Sequence, residues 1–126
     1  MTYLWIAVGS ALGGVARYWC YGVVARYLGP TFPWGTLAVN VLGCAFIGFF
    51  ATFTGPDGRS LLGSTTRQFV MVGVCGGYTT FSSFSLETLN LARNGQLFEA
   101  GGNVLLSVVL CLAGVWLGHL AATVLN

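Results

Sequence analysis

Four long apolar stretches, separated by short runs of turn-forming and charged residues, set the pattern of this chain. They cover about residues 2–27, 33–53, 65–91 and 103–125. Each is long enough to cross the hydrocarbon layer of a bilayer, which takes about 20 helical residues. None alternates apolar with polar positions in the way a membrane β-barrel strand must. The pattern predicts an all-α, polytopic membrane protein of one domain, residues 1–126, with four transmembrane helices. The second connection carries Gly55-Pro56-Asp57-Gly58 turn chemistry. Pro33 suits the first turn of the second helix, where a missing N–H costs nothing. Tyr3, Trp5, Tyr27 and Trp34 fall near the expected interfaces, where amphipathic aromatics are at home.

The third stretch departs from the other three. Gly76-Gly77 and Thr79-Thr80 interrupt it at membrane depth. Hydrocarbon cannot satisfy loose backbone N–H and C=O groups, so a break there is tolerated only inside protein or beside a polar cavity. A break near Gly76–Thr80 is therefore expected to mark an ion or substrate path. Beyond it the chain resumes with Phe81 and Phe84 on one helix face, among the hydroxyls of Thr80, Ser82, Ser83 and Ser85. Small residues recur four apart, as Gly9 with Gly13, Ser10 with Gly14, Gly73 with Gly77, and Gly114 with Gly118. Such pairs let helix backbones approach closely in lipid, and some are expected to face a second subunit.

Composition narrows the class. The chain is 56% hydrophobic and 6% charged, against about 25% charged in a typical soluble domain. No basic segment precedes the first apolar stretch, so a cleaved secretory signal is not expected. The net charge of +2 is small and dispersed, which excludes nucleic acid as a partner. Cys20, Cys44, Cys75 and Cys111 sit one per stretch, with no C-x-x-C pair and no histidine at ligand spacing. They read as packing residues. The chain has no lysine, and its arginines are balanced. Arg59 and Arg67 lie toward the side of both termini, Arg26 and Arg93 toward the other. Orientation follows Lys/Arg bias between short loops, so this balance points to insertion both ways and pairing with an inverted second copy. A weakly biased protein with one orientation is the alternative.

Several polar residues inside the stretches could carry chemistry. Arg17, well inside the first, is a costly intramembrane cation; it reads as drawing anions to a vestibule, or as snorkelling to an interface. Asn40, mid-span, offers two donors and an acceptor. Such a donor suits an anion path, although asparagines that bond across helices are common. The rim of an aromatic ring carries the positive end of its quadrupole, so Phe81 and Phe84 edge-on to a narrow path could steady a stripped anion without trapping it. A helix restarting near Thr80 would add N–H groups and a favourable dipole. Carbonyls freed between Gly76 and Thr79 could instead hold a small cation. Glu87, one turn past Phe84, reads as a proton-coupling group, a gate beside the path, or a partner for Arg67 or Arg93. Ser107, one turn after Asn103, faces a pore or bonds its own helix carbonyl. His119 reads as interfacial. No nucleophile–base set, phosphate loop or metal cluster is visible, so an enzyme is not expected.

The block Gly76-Gly77-Tyr78-Thr79-Thr80-Phe81-Ser82-Ser83-Phe84-Ser85 resembles the G-G-x-T-T-F-S-T-F signature of the Fluc (CrcB-type) fluoride channels. Gly13-Gly14 with Arg17-Tyr18, and Gly35-Thr36 with Asn40 and Gly43, are similar to that family's first- and second-helix patterns. Ser83 stands where threonine is usual and keeps the hydroxyl. The resemblance implies an antiparallel, dual-topology homodimer in the inner (plasma) membrane, with two pores that exports cytoplasmic fluoride passively. It implies Phe81 and Phe84 as ring-edge fluoride ligands, with Asn40, Thr80, Ser82, Ser83 and, less securely, Ser107 along the path. Glu87 would stand beside it and Arg17 toward the vestibule. The main-chain carbonyls of Gly76 and Thr79, from both copies, would hold a structural sodium ion. Two other readings are a proton-coupled dual-topology exporter, with Glu87 as its carboxylate, and a non-conducting membrane assembly subunit.

Overall fold

Segments deprived of water must bond their amides internally, and helix accordingly carries this chain almost from end to end. In the computed structural model, which describes residues 1–126, α1 spans Thr2–Leu28, α2 Trp34–Phe53 and α6 Leu97–Leu125. The third unit is composite. It comprises α3 (Ser64–Gln68), a π-helical segment (Phe69–Cys75), a last turn α4 (Gly76–Tyr78) and, past two extended residues, α5 (Phe81–Arg93). There are no strands.

Three of these units, Trp34–Phe53, Ser64–Arg93 and Leu97–Leu125, are long and apolar enough to cross a membrane. With 27 residues α1 is long enough, about 40 Å at 1.5 Å per residue. It falls short of the others in hydropathy, because arginines, tyrosines and glycines dilute its apolar side chains. By that measure three crossings stand where four were expected.

Glycine closes two of the helices. Gly29 (φ 79°) ends α1, its N–H donating to the Ala25 carbonyl at 3.0 Å, and Gly95 (φ 80°) follows α5 with a 3.1 Å bond to Ala92. Both take a positive φ, which glycine adopts without the steric cost a Cβ would bring. The third connection is consequently shorter than the expected 92–102, and α6 begins at Leu97 rather than near Asn103. Gly101-Gly102 looks like loop chemistry, but there is open space within 4 Å of where a Cβ would sit on either residue. A helical backbone simply runs through them.

Two close helix pairs make the core. Gly9 and Gly13 of α1 lie against Gly73, Val74 and Gly77, so closely that a Cβ on Gly13 would overlap the Val74 carbonyl oxygen and one on Gly77 that of Ser10. Across the bundle, Gly114 and Gly118 of α6 meet Val41 and Ala45 of α2. In each pair the contacts advance in the same direction along both helices, so α1 runs parallel to the third unit and α2 to α6. The glycine pairs read from sequence thus serve mainly these internal seams. At one end of the bundle Arg67 donates to the Thr54 hydroxyl, and Arg59 Nη1 donates to the Leu125 carbonyl at 3.0 Å. There the chain's C-terminus is clasped to the α2–α3 connection.

A Cβ on Gly118 would overlap the Ala45 carbonyl oxygen, which is backbone and cannot swing aside. Gly118→Ala is expected to push α2 and α6 apart at a cost of about 1–3 kcal/mol. Gly101→Ala has open space around it and should not lower stability. Unfolding temperatures of the two variants in detergent check this; equal values would dissolve the close-approach argument.

Candidate functional site

The break is made by threonines. Thr79 (φ −82°, ψ 160°) and Thr80 (φ −154°, ψ 111°) are both extended. Thr79 closes the turn before it, donating its N–H and its hydroxyl to the Cys75 carbonyl, each at 2.9 Å. Thr80 opens the helix after it, its Oγ1 accepting from the Ser83 N–H at 3.1 Å, an N-cap bond of the usual kind. Gly76-Gly77, expected to break the helix, do not. Gly76 keeps helical angles (φ −64°, ψ −37°), and Gly77 is small because Ser10 of α1 presses on it.

Asn40 spans the gap. Its Oδ1 accepts from the Thr80 N–H at 2.7 Å and its Nδ2 donates to the Thr80 carbonyl at 3.0 Å. One primary amide therefore satisfies both backbone groups of the residue that left the helix. A consequence falls four residues earlier. The Thr80 N–H would have bonded the Gly76 carbonyl in a continuous helix, and its turn toward Asn40 releases that oxygen. Gly76 is exposed, with no atom nearer its would-be Cβ than the Met71 carbonyl oxygen at 4.0 Å. Arg17, half-buried, reaches the break from α1, its Nη1 lying 3.4 Å from the Thr79 carbonyl.

Beside the break lies a groove of about 490 Å³, lined by Asn40, Thr79, Thr80, Phe81, Phe84 and Ser107 among others. The Phe81 and Phe84 rings are 5.4 Å apart, tilted by 52°. They are not equivalent. Phe84 is 8% exposed and held by the chain's own packing, whereas Phe81 is 78% exposed and projects outward. Ser82 and Ser83 line the far side of the α5 turn rather than the groove. Ser82 Oγ lies 3.3 Å from Thr80 Oγ1, and Ser83 gives its N–H to the same oxygen.

A ladder of polar side chains continues from the groove. The Ser107 hydroxyl donates to Asn103 Oδ1 at 3.4 Å, Asn103 Nδ2 to Thr88 Oγ1 at 2.9 Å, and the Thr88 hydroxyl to the Phe84 carbonyl at 2.7 Å. Asn103 is 1% exposed, so this ladder is how a buried amide is satisfied. The sequence reading passed over Asn103 and Thr88. Their signal was there in the four-residue spacing of Asn103 and Ser107 within an apolar helix.

Glu87 is held elsewhere. It faces a second hollow, about 370 Å³, with Tyr21, Thr36, Asn90, Asn94 and Gln96. Its Oε1 accepts from the Thr36 hydroxyl at 2.7 Å, and its buried Oε2 has no partner. It pairs with neither Arg67 nor Arg93, and Arg67 is engaged at the opposite end of the third unit. No cluster of three or more His, Cys, Asp or Glu gathers anywhere. The groove offers neutral donors, ring edges, loose carbonyls and the thiols of Cys44, Cys75 and Cys111. Such an inventory can carry an ion.

The sequence matches the family described as CrcB-like protein, Camphor Resistance (CrcB), over residues 4–119. A fluoride-specific ion channel FluC of Methylocella silvestris is 59% identical over 100% of this chain and 96% of its own length. One from Rhodospirillum rubrum is 60% identical, covering 100% and 98% respectively. One from Opitutus terrae is 64% identical over 98% of this chain and 94% of that protein.

Proposed function

The chain belongs to the CrcB-like family, and on that footing we propose that it is a fluoride channel, exporting cytoplasmic fluoride down its electrochemical gradient. The observation that carries the reading is the latched break in the third unit. It brings an amide, a threonine hydroxyl and two phenylalanine rings to one groove without any fixed cation in its lining. Fluoride holds its water tightly, so a selective path must replace that water with several donors at short range while binding weakly enough to let go. Asn40 keeps one amide hydrogen free after bonding Thr80, Thr80 adds a hydroxyl, and Ser107 can add its own by turning from Asn103. The edge of the buried Phe84 ring supplies a partial positive charge. An interior-negative potential contributes about 2.3 kcal/mol per 100 mV to each departing anion, so passive flow suffices for export.

The working form in this reading is a homodimer of inverted copies in the inner membrane, each chain crossing four times. Three features support it: the even split of arginines between the two ends, the outward thrust of Phe81, and a groove open along one side. α1 crosses with the third unit, to which its glycines bind it closely. Sodium fits the same picture. Neutral carbonyl oxygens suit a hard cation, and the Gly76 carbonyl has lost its helical partner on an exposed face. Gly76 and Thr79 of two facing copies would hold the ion, with Arg17 near the Thr79 oxygen. A bound sodium would supply fixed positive charge between the two breaks.

A proton-coupled exporter needs a carboxylate that substrate and proton share. Glu87 lies outside the groove, bonded to Thr36, which disfavours that reading. Purified protein in liposomes is expected to release fluoride electrogenically with no proton gradient imposed, and to retain chloride. Release that strictly requires a proton gradient would replace the channel by the exporter. No release at all would leave a non-conducting assembly subunit.

A further inference from the structure

We propose that Cys44 of α2 and Cys111 of α6 form a binding site for a soft, two-coordinate metal cation of the Ag⁺, Cu⁺ or Hg²⁺ class, one helical turn below the ion path. Both thiols line the groove that holds Asn40, Thr80 and Phe84. Cys44 follows Asn40 by four residues and Cys111 follows Ser107 by four. Side chains four apart share a helix face, one turn or about 5.4 Å along the axis. Asn40 with Ser107 therefore makes one layer of the groove, and Cys44 with Cys111 the next.

The two layers are close because the helices are. Gly114 and Gly118 bring the α6 backbone against Val41 and Ala45, and that seam sets Cys44 and Cys111 on two closely packed helices along one groove. Both are free thiols and both are half-buried. The chemistry of the ligand follows from what surrounds them. Zinc requires about four protein ligands, and no third His, Cys, Asp or Glu joins this pair as a cluster. Thiolate sulfur favours soft ions, and one sulfur from each of two closely packed helices suits a linear S–metal–S arrangement. On binding, each thiol releases its proton to water as a sulfur–metal bond forms, so a monovalent metal changes the local charge by −1 and a divalent one leaves it unchanged. Either fills the groove beside Phe84 and blocks the path. The block rests on the channel reading, whereas binding does not.

The test uses the purified full chain, silver or mercuric nitrate in chloride-free buffer, and two readouts: metal bound per chain and fluoride release from liposomes. One metal per chain is expected, with release inhibited and restored by excess dithiothreitol. Cys44→Ser and Cys111→Ser should each weaken binding at least tenfold, since a linear site needs both sulfurs. Cys20→Ser should leave it intact, and zinc at the same concentration should not inhibit. Inhibition is scored against each variant's own metal-free flux. If either serine variant fails to fold, protection of Cys44 and Cys111 from alkylation by prior silver treatment, read by mass spectrometry, serves instead. Full affinity retained by both single variants, or no protection, overturns the site. Stoichiometric binding without block overturns only the link to conduction.

Discussion

Asn40→Leu is expected to destabilise the protein by roughly 2–6 kcal/mol and to abolish fluoride flux. The side chain's two bonds, to the Thr80 N–H at 2.7 Å and the Thr80 carbonyl at 3.0 Å, are the only ones that residue's backbone makes outside a helix. Leucine has similar bulk and no polar atom. It would strand a buried donor and a buried acceptor, each costing about 1–3 kcal/mol. Nothing nearby can take over, because Thr79 is already committed to Cys75 and Thr80 Oγ1 to Ser83. The measurement pairs detergent unfolding with liposome flux. A variant that lost flux but unfolded normally would show Asn40 to be a path ligand only, and the latch would fall. Asn40→Asp keeps the acceptor and loses the donor, so its stability should lie between the two.

Phe81→Ile should lower fluoride release by about 10- to 100-fold, equivalent to roughly 1.4–2.7 kcal/mol at the slowest step, while leaving the unfolding temperature unchanged. Phe84→Ile should lower both. The difference comes from burial. Phe81 is 78% exposed and contributes little to the chain's own packing, whereas Phe84 is 8% exposed and fills space between α5 and its neighbours. Isoleucine retains an apolar surface at either site and removes only the ring edge with its partial positive charge. Release unchanged in both variants would remove the rings from the mechanism. A loss of stability in Phe81→Ile would mean that ring is packed against more than the single chain provides.

The two Phe residues also illustrate where sequence reasoning stopped. Their three-residue spacing put them on one helix face, and both do line the groove. Spacing could not say that one is buried and the other thrust outward, since that depends on which neighbours α5 meets. Asn40 is a similar case. Its position mid-span marked it as unusual, but both of its partners lie forty residues away at Thr80. Glu87 shared a face with Phe84 by count, yet Thr36 draws it into a separate hollow.

The glycines divide along the same line. Sequence identified the small-residue pairs and the interrupted third stretch, and it attributed the interruption to Gly76-Gly77 and Thr79-Thr80 together. In the fold the glycines stay helical, and only Thr79-Thr80 leave the helix. An isolated chain would favour breaking at glycine, because of its backbone freedom. Once Ser10 packs on Gly77, staying helical costs nothing, and the amide of Asn40 offers Thr80 a substitute for the helix bonds it gives up.

From its residues alone this chain was bound to be helical, membrane-embedded, almost without charge and interrupted once at depth. Those properties follow from hydropathy and local backbone preference, which act over a few turns and are written directly in the order of residues. Which threonine carries the break, which carbonyl it frees, which ring it buries and which cysteines share a groove were decided only when α2 met α6 and α1 met the third unit. Side chains far apart in sequence could then satisfy one another's polar groups where no water was available to do so.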